Sequence, residues 1–143
     1  MDHLDPTIVQ SMIPYYFASN AKQYNKIMKK HDNPERGFPL ADMGDYGAVT
    51  IRIREESPST IYIIVCMRVD LSVSLIEAYA LLVHEAMHVW RYIRKYLRED
   101  KPSREFEAYS MQHICTNLFA EYDAERNKLL SVGDAELIET MGK

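Results

Sequence analysis

Two histidines four residues apart, His84 and His88, stand in a stretch whose apolar residues recur at helical spacing: Val83-His84-Glu85-Ala86-Met87-His88-Val89-Trp90. On a helix, residues i and i+4 lie one above the other. Both imidazoles then share a face and can bind one ion through their ring nitrogens, and zinc suits such a pair best. Glu85 follows the first histidine and points to the flank of the pair, where a carboxylate can act as a general base on water. With five histidines in 143 residues, random order would produce the pattern in roughly one such sequence in seventy, so its surroundings must decide. The pattern calls for a long helix, a third ligand from another element, and a strand close by to hold a substrate.

The rest of the chain can supply these. At 143 residues, 47% apolar and 27% charged, it fits a single α+β domain over residues 1–143 with a real core. The formal net charge of -4 gives no electrostatic reason to expect nucleic acid or an anionic membrane as partner. The longest apolar runs, Ile61 to Met67 and Ala78 to Val83, are far shorter than a bilayer span. The start, Met1-Asp2-His3-Leu4-Asp5, is acidic and lacks an apolar region, unlike a secretory signal, which predicts a cytoplasmic protein. Cys66 and Cys115 are then expected to be buried thiols.

Taken in order, Asp5-Pro6 is a helix start, and Ile8, Val9, Met12 and Ile13 follow at helical spacing. Pro14 must break or kink this helix, after which Tyr15, Tyr16, Phe17, Tyr24, Ile27 and Met28 predict a second amphipathic stretch running to Lys29-Lys30. His31 to Gly47 is rich in Asn, Asp, Pro and Gly and reads as a structured loop. Ala48 to Arg54 alternates apolar and polar, as in a strand with one wet face; Glu55 to Ser59 is a turn. Thr60 to Met67 is β-branched and almost wholly apolar, which predicts a strand buried on both faces. The two form a hairpin, with the first strand nearer an edge.

Ser74, or alternatively Ser72 or Asp70, caps the central helix, which runs through Ala78, Leu81, Leu82, Met87, Trp90, Ile93 and Leu97 to end near Arg98. His84 and His88 share a side with Leu81 and Glu77. If that side is buried, two imidazoles there are costly unless their nitrogens are satisfied. A short polar connection leads to a cap at Ser103 and a further helix through Phe106, Met111, Ile114, Cys115, Leu118, Phe119 and Tyr122. Asp134 to Met141 reads as a separate terminal helix. The connection predicts neighbouring helices, antiparallel or steeply crossed, with the first turn of the second returning toward the middle of the first.

That turn carries two carboxylates. A catalytic zinc usually keeps three protein ligands and one open position, so either could complete the set. On a helical wheel Glu107 aligns with the apolar Met111, Ile114 and Leu118, whereas Glu105 shares its side with Tyr109 and Gln112. Both are also at home as solvated acids in a first helical turn.

From Ala48 to Tyr122 the order of hairpin, His-Glu-x-x-His helix and glutamate helix resembles the compact zincin-like peptidases of the gluzincin (minigluzincin) type, in particular small phage-encoded zinc peptidases. In many of these an E-x-x-A frame follows, and Glu105-Phe106-Glu107-Ala108 matches it; Tyr109 stands where Asp or Asn is usual. The resemblance implies one zinc ion held by His84, His88 and Glu105, in preference to the Glu107 of the wheel. It also implies Glu85 as general base, and a peptide or protein substrate extended along the hairpin edge, in a host cytoplasm or a virion. Tyr109, Tyr92 and His113 are the candidate oxyanion donors. Two other functions fit the residues: a catalytically silent metal-binding structural or regulatory protein, and a metal-free interaction domain using the acidic surface and the aromatic first helix. The sequence leaves the oligomeric state open.

Overall fold

A computed structural model of the protein describes residues 13–40, 47–55 and 60–141, the side chains of Thr60 and of 134–141 excepted. Its elements run β1 (Tyr15–Ala18), α1 (Ala21–Lys30), β2 (Ala48–Glu55), β3 (Thr60–Met67), α2 (Leu75–Tyr96) and α3 (Arg104–Met141). The class is α+β, with three helices and one small sheet among the described residues.

The sheet is ordered β1-β3-β2. β2 runs antiparallel to β3, pairing Thr50 with Val65 and Arg52 with Ile63, and so forms the expected hairpin. β3 is central, and Ile61 to Met67 are all buried. Its alternation serves two cores. Ile61, Ile63, Val65 and Met67 pack against α2 and α3, while Tyr62, Ile64 and Cys66 pack with Tyr24 and Met28 of α1 and with Phe38 and Leu40. The molecule is therefore layered as α1 with its following loop, the sheet, then the α2–α3 pair.

The helix expected to follow Pro14 begins later than its pattern suggests. Tyr15–Ala18 instead pairs in parallel with β3, Tyr15 opposite Ile63 and Ala18 opposite Cys66. Asn20 caps α1 by accepting from the Gln23 backbone N–H at 2.9 Å. The helix start at Asp5-Pro6, most of the turn after Glu55 and part of the loop before β2 lie outside the described residues.

α2 begins where expected, with Ser74 Oγ accepting from Glu77 N at 3.2 Å, and ends at Tyr96, with Arg98 in the left-handed region at φ 56°. Ser103 Oγ likewise accepts from Phe106 N at the start of α3. α3 is one continuous helix of 38 residues, so the separate terminal helix expected from Asp134 is a continuation of it. The charged run after Asp123 changes how wet the helix is without breaking it, since no proline interrupts it. α2 and α3 are antiparallel, which two contacts at opposite ends establish. Tyr79 stacks on Phe119 and its hydroxyl donates to Asp123 at 2.7 Å, while Trp90 meets Phe106 edge to face.

Candidate metal centre

His84 and His88 project from the middle of α2, and both are exposed. On the side they share with Glu77 and Leu81, Leu81 packs against the core while Glu77 and both histidines are exposed, contrary to the burial expected for that side; the buried polar residue of α2 is Glu85, 3% exposed. The inversion follows from helix geometry. Leu82, Glu85, Ala86 and Val89 face the core, and the histidines fall about 60–100° to one side of Glu85, along the flank.

The two Nε2 atoms are 3.3 Å apart. Nitrogens each at about 2.0–2.1 Å from a tetrahedral zinc are separated by about 3.3–3.4 Å, so this spacing suits one shared ion. Ligand atoms of His84, Glu85 and His88 all lie within 4.8 Å of one another, and they form the one such group of three among the described residues. The donor set of two imidazoles and a carboxylate fits a borderline divalent cation.

Glu85 is fixed from the sheet. Thr50 Oγ1 donates to Glu85 Oε2 at 2.5 Å and lies 3.4 Å from the Glu85 carbonyl oxygen. The partner comes from the polar side of β2, which the alternation reads as wet: Thr50, Arg52 and Arg54 share the face that meets α2. Arg52 places its guanidinium 5.4 Å from the centre of the Tyr92 ring, one turn beyond His88. This carboxylate has Thr50 as its one hydrogen-bond donor among the described residues. Its charge reaches Cys66, whose thiol is pushed up to about 12, first by burial and second by Glu85. Cys66 and Cys115 are free thiols.

The first turn of α3 meets α2 later than expected. Glu107 Oε2 accepts from Trp90 Nε1 at 2.8 Å and lies 3.7 Å from Arg94 Nη1. Trp90 is two residues, about 200°, round the helix from His88, so Glu107 is held on another side of α2 from the histidine pair. Glu105 is exposed and, like Glu107, is outside the group of ligand atoms described above. Glu107 is thus the carboxylate facing α2, as the wheel indicates, and its partners are an indole and a guanidinium.

Among the three oxyanion candidates, Tyr92 alone lies on the flank of His88. Tyr109, exposed at 48%, and His113 recur with Asn117 at four-residue spacing on α3. Asn117 donates to Tyr15 of β1 at 2.7 Å, across β3 from the β2 edge. The sequence reading missed Thr50 and Arg52; their signal was the period-two placement of polar residues on a strand expected to neighbour the histidine helix.

Compared with protein-family models, with curated proteins and with solved structures, the chain matches none. No described helix is long and apolar enough to cross a membrane.

Proposed function

We propose that the protein is a zincin-like, zinc-dependent peptidase in which His84 and His88 hold the ion and Glu85 is the general base. The observation that carries this reading is the pair of Nε2 atoms 3.3 Å apart beside a carboxylate that is buried yet satisfied by one hydroxyl. A zinc ion there supplies Lewis acidity and makes water acidic near neutral pH. Thr50 fixes Oε2 of Glu85, which leaves Oε1 to take a proton from water and return it to the leaving amine. Among the described residues β2 is the edge strand beside this helix, and an extended peptide can add to it as a further strand. Glu105 remains the third ligand that the resemblance implies; it is exposed in the first turn of α3 and lies outside the close group of ligand atoms. Free thiols suit a reducing compartment such as a cytoplasm.

A second reading is favoured by the inclusion of Glu85 in the same close group of ligand atoms: a metal-binding protein without catalysis, in which Glu85 is itself a ligand. Glu85→Gln separates the two. As a base, Glu85 is dispensable for binding, so the variant keeps its zinc while hydrolysis of a peptide library falls by about 10²–10⁴-fold. As a ligand, its loss lowers zinc content. Equal hydrolysis by parent and variant rejects the role of base.

A further inference from the structure

On the flank of α2 that carries His84 and His88, the next residues at helical spacing are Arg91 and Lys95, both exposed. Past them, Arg91, Arg94, Lys95 and Arg98 line a cleft of about 470 Å³ with Glu99 and Asp100, four cations against two carboxylates. From the sheet side, Arg52 lies over Tyr92. Arg94 is drawn to Glu107. By contrast, no carboxylate lies within ion-pairing distance of Arg52, Arg91, Lys95 or Arg98 among the described residues. The helix dipole accounts for Arg94 and Lys95 in the last turn. It does not account for Arg91 a turn earlier, nor for Arg52, which comes from a strand. In a chain whose formal charge is -4, a run of guanidinium groups with no carboxylate partner among the described residues, beginning one turn from the candidate metal-binding pair, suits an anionic occupant.

We infer that this run is a substrate subsite, and that the segment held beside the histidines is an acidic peptide whose carboxylates are taken by Arg52 and Arg91. The inference rests on the peptidase reading and specifies its substrate class. Spacing supports it. One helical turn carries the flank about 5.4 Å from His88 to Tyr92, and an extended peptide advances about 6.8 Å over the two residues that return a side chain to the same face. An Asp or Glu two residues from the cleaved bond, toward the carboxyl end of α2, therefore comes level with Arg52. The exposed Arg91 lies one residue before Tyr92 on the same turn, and guanidinium groups can grip a carboxylate with two parallel hydrogen bonds.

The test measures binding of two fluorescein-labelled decapeptides, one carrying Asp and Glu and the other the matching Asn and Gln, to full-length Glu85→Gln protein with zinc added. Fluorescence anisotropy reports affinity without turnover. The acidic peptide is expected to bind about tenfold more tightly. Arg52→Gln and Arg91→Gln should each remove about three- to tenfold of that affinity, as expected for exposed to partly desolvated charge pairs. Lys29→Gln, on α1 across the sheet, should change nothing, and Arg52→Lys should fall between parent and Arg52→Gln. Equal affinity for the two peptides, no binding of either, or a preference that survives the double Arg52→Gln/Arg91→Gln change would overturn the inference. If the acidic preference is present while the parent cleaves neither peptide, the subsite stands and the peptidase reading fails. If both peptides are cleaved at equal rates and bound equally, the peptidase reading stands and the subsite falls.

Discussion

The molecule treats its histidines in two opposite ways. His31, just past α1, has both nitrogens engaged: Nε2 is 2.9 Å from the Tyr16 hydroxyl and Nδ1 is 3.4 Å from Glu55. Its ring is stacked on Tyr62 with centroids 3.8 Å apart. It ties β1, the end of α1 and the hairpin together. His84 and His88 instead meet each other, Nε2 to Nε2, on an exposed flank, with a buried acid between them in sequence. His31 is committed to the protein, whereas His84 and His88 present their ring nitrogens to something outside it. The lesson is that the partners of the ring nitrogens, together with exposure, separate a structural histidine from a candidate ligand.

The sharpest way to break this contrast is to remove each kind of histidine in turn. In His84→Ala/His88→Ala, zinc affinity should fall by more than the roughly ten- to hundredfold typical of losing a supporting residue around a metal. Because both rings are exposed, the metal-free variant should keep the melting temperature of the metal-free parent; a chelator titration and a thermal melt check both. Retained affinity would place the ion elsewhere. His31→Ala should give the converse: zinc binding unchanged, and stability lower by about 1–3 kcal/mol in urea unfolding, the cost of stranding partly buried partners. Loss of zinc in that variant would erase the distinction.

The third ligand offers a finer test. Glu105→Gln is expected to lose zinc, whereas Glu107→Gln keeps it and loses at most about 1 kcal/mol through a weakened contact to Trp90 and Arg94. Zinc analysis of the purified variants decides, and loss in the second alone moves the ligand to Glu107.

How much of this could be read from sequence depends on the range of the interaction. The hairpin and the central helix follow from local signals: alternation in Ala48–Arg54, the β-branched run of β3, the Ser74 cap and the polar stop near Arg98. The histidine spacing is equally local. β1 was illegible because four residues show too little periodicity, and Tyr15–Ala18 is a strand through its pairing with β3. The length of α3 was obscured by charge, which governs exposure more than helicity. The placement of Glu105 and Glu107 was beyond reach for a different reason. It depends on the axial register of two helices, set by Tyr79 against Phe119 and Trp90 against Phe106, and a shift of one turn takes a carboxylate to or from the histidines. The Thr50 contact to Glu85 likewise needed the orientation of β2 over α2.

The central claim is that His84 and His88 hold one divalent ion, and it is tested most directly by elemental analysis of the full-length protein purified without added metal. The account predicts about one equivalent of zinc per chain, removable by a chelator and restored by zinc alone. Protein that is folded yet carries no stoichiometric divalent metal, and takes up none when zinc is supplied, would contradict it.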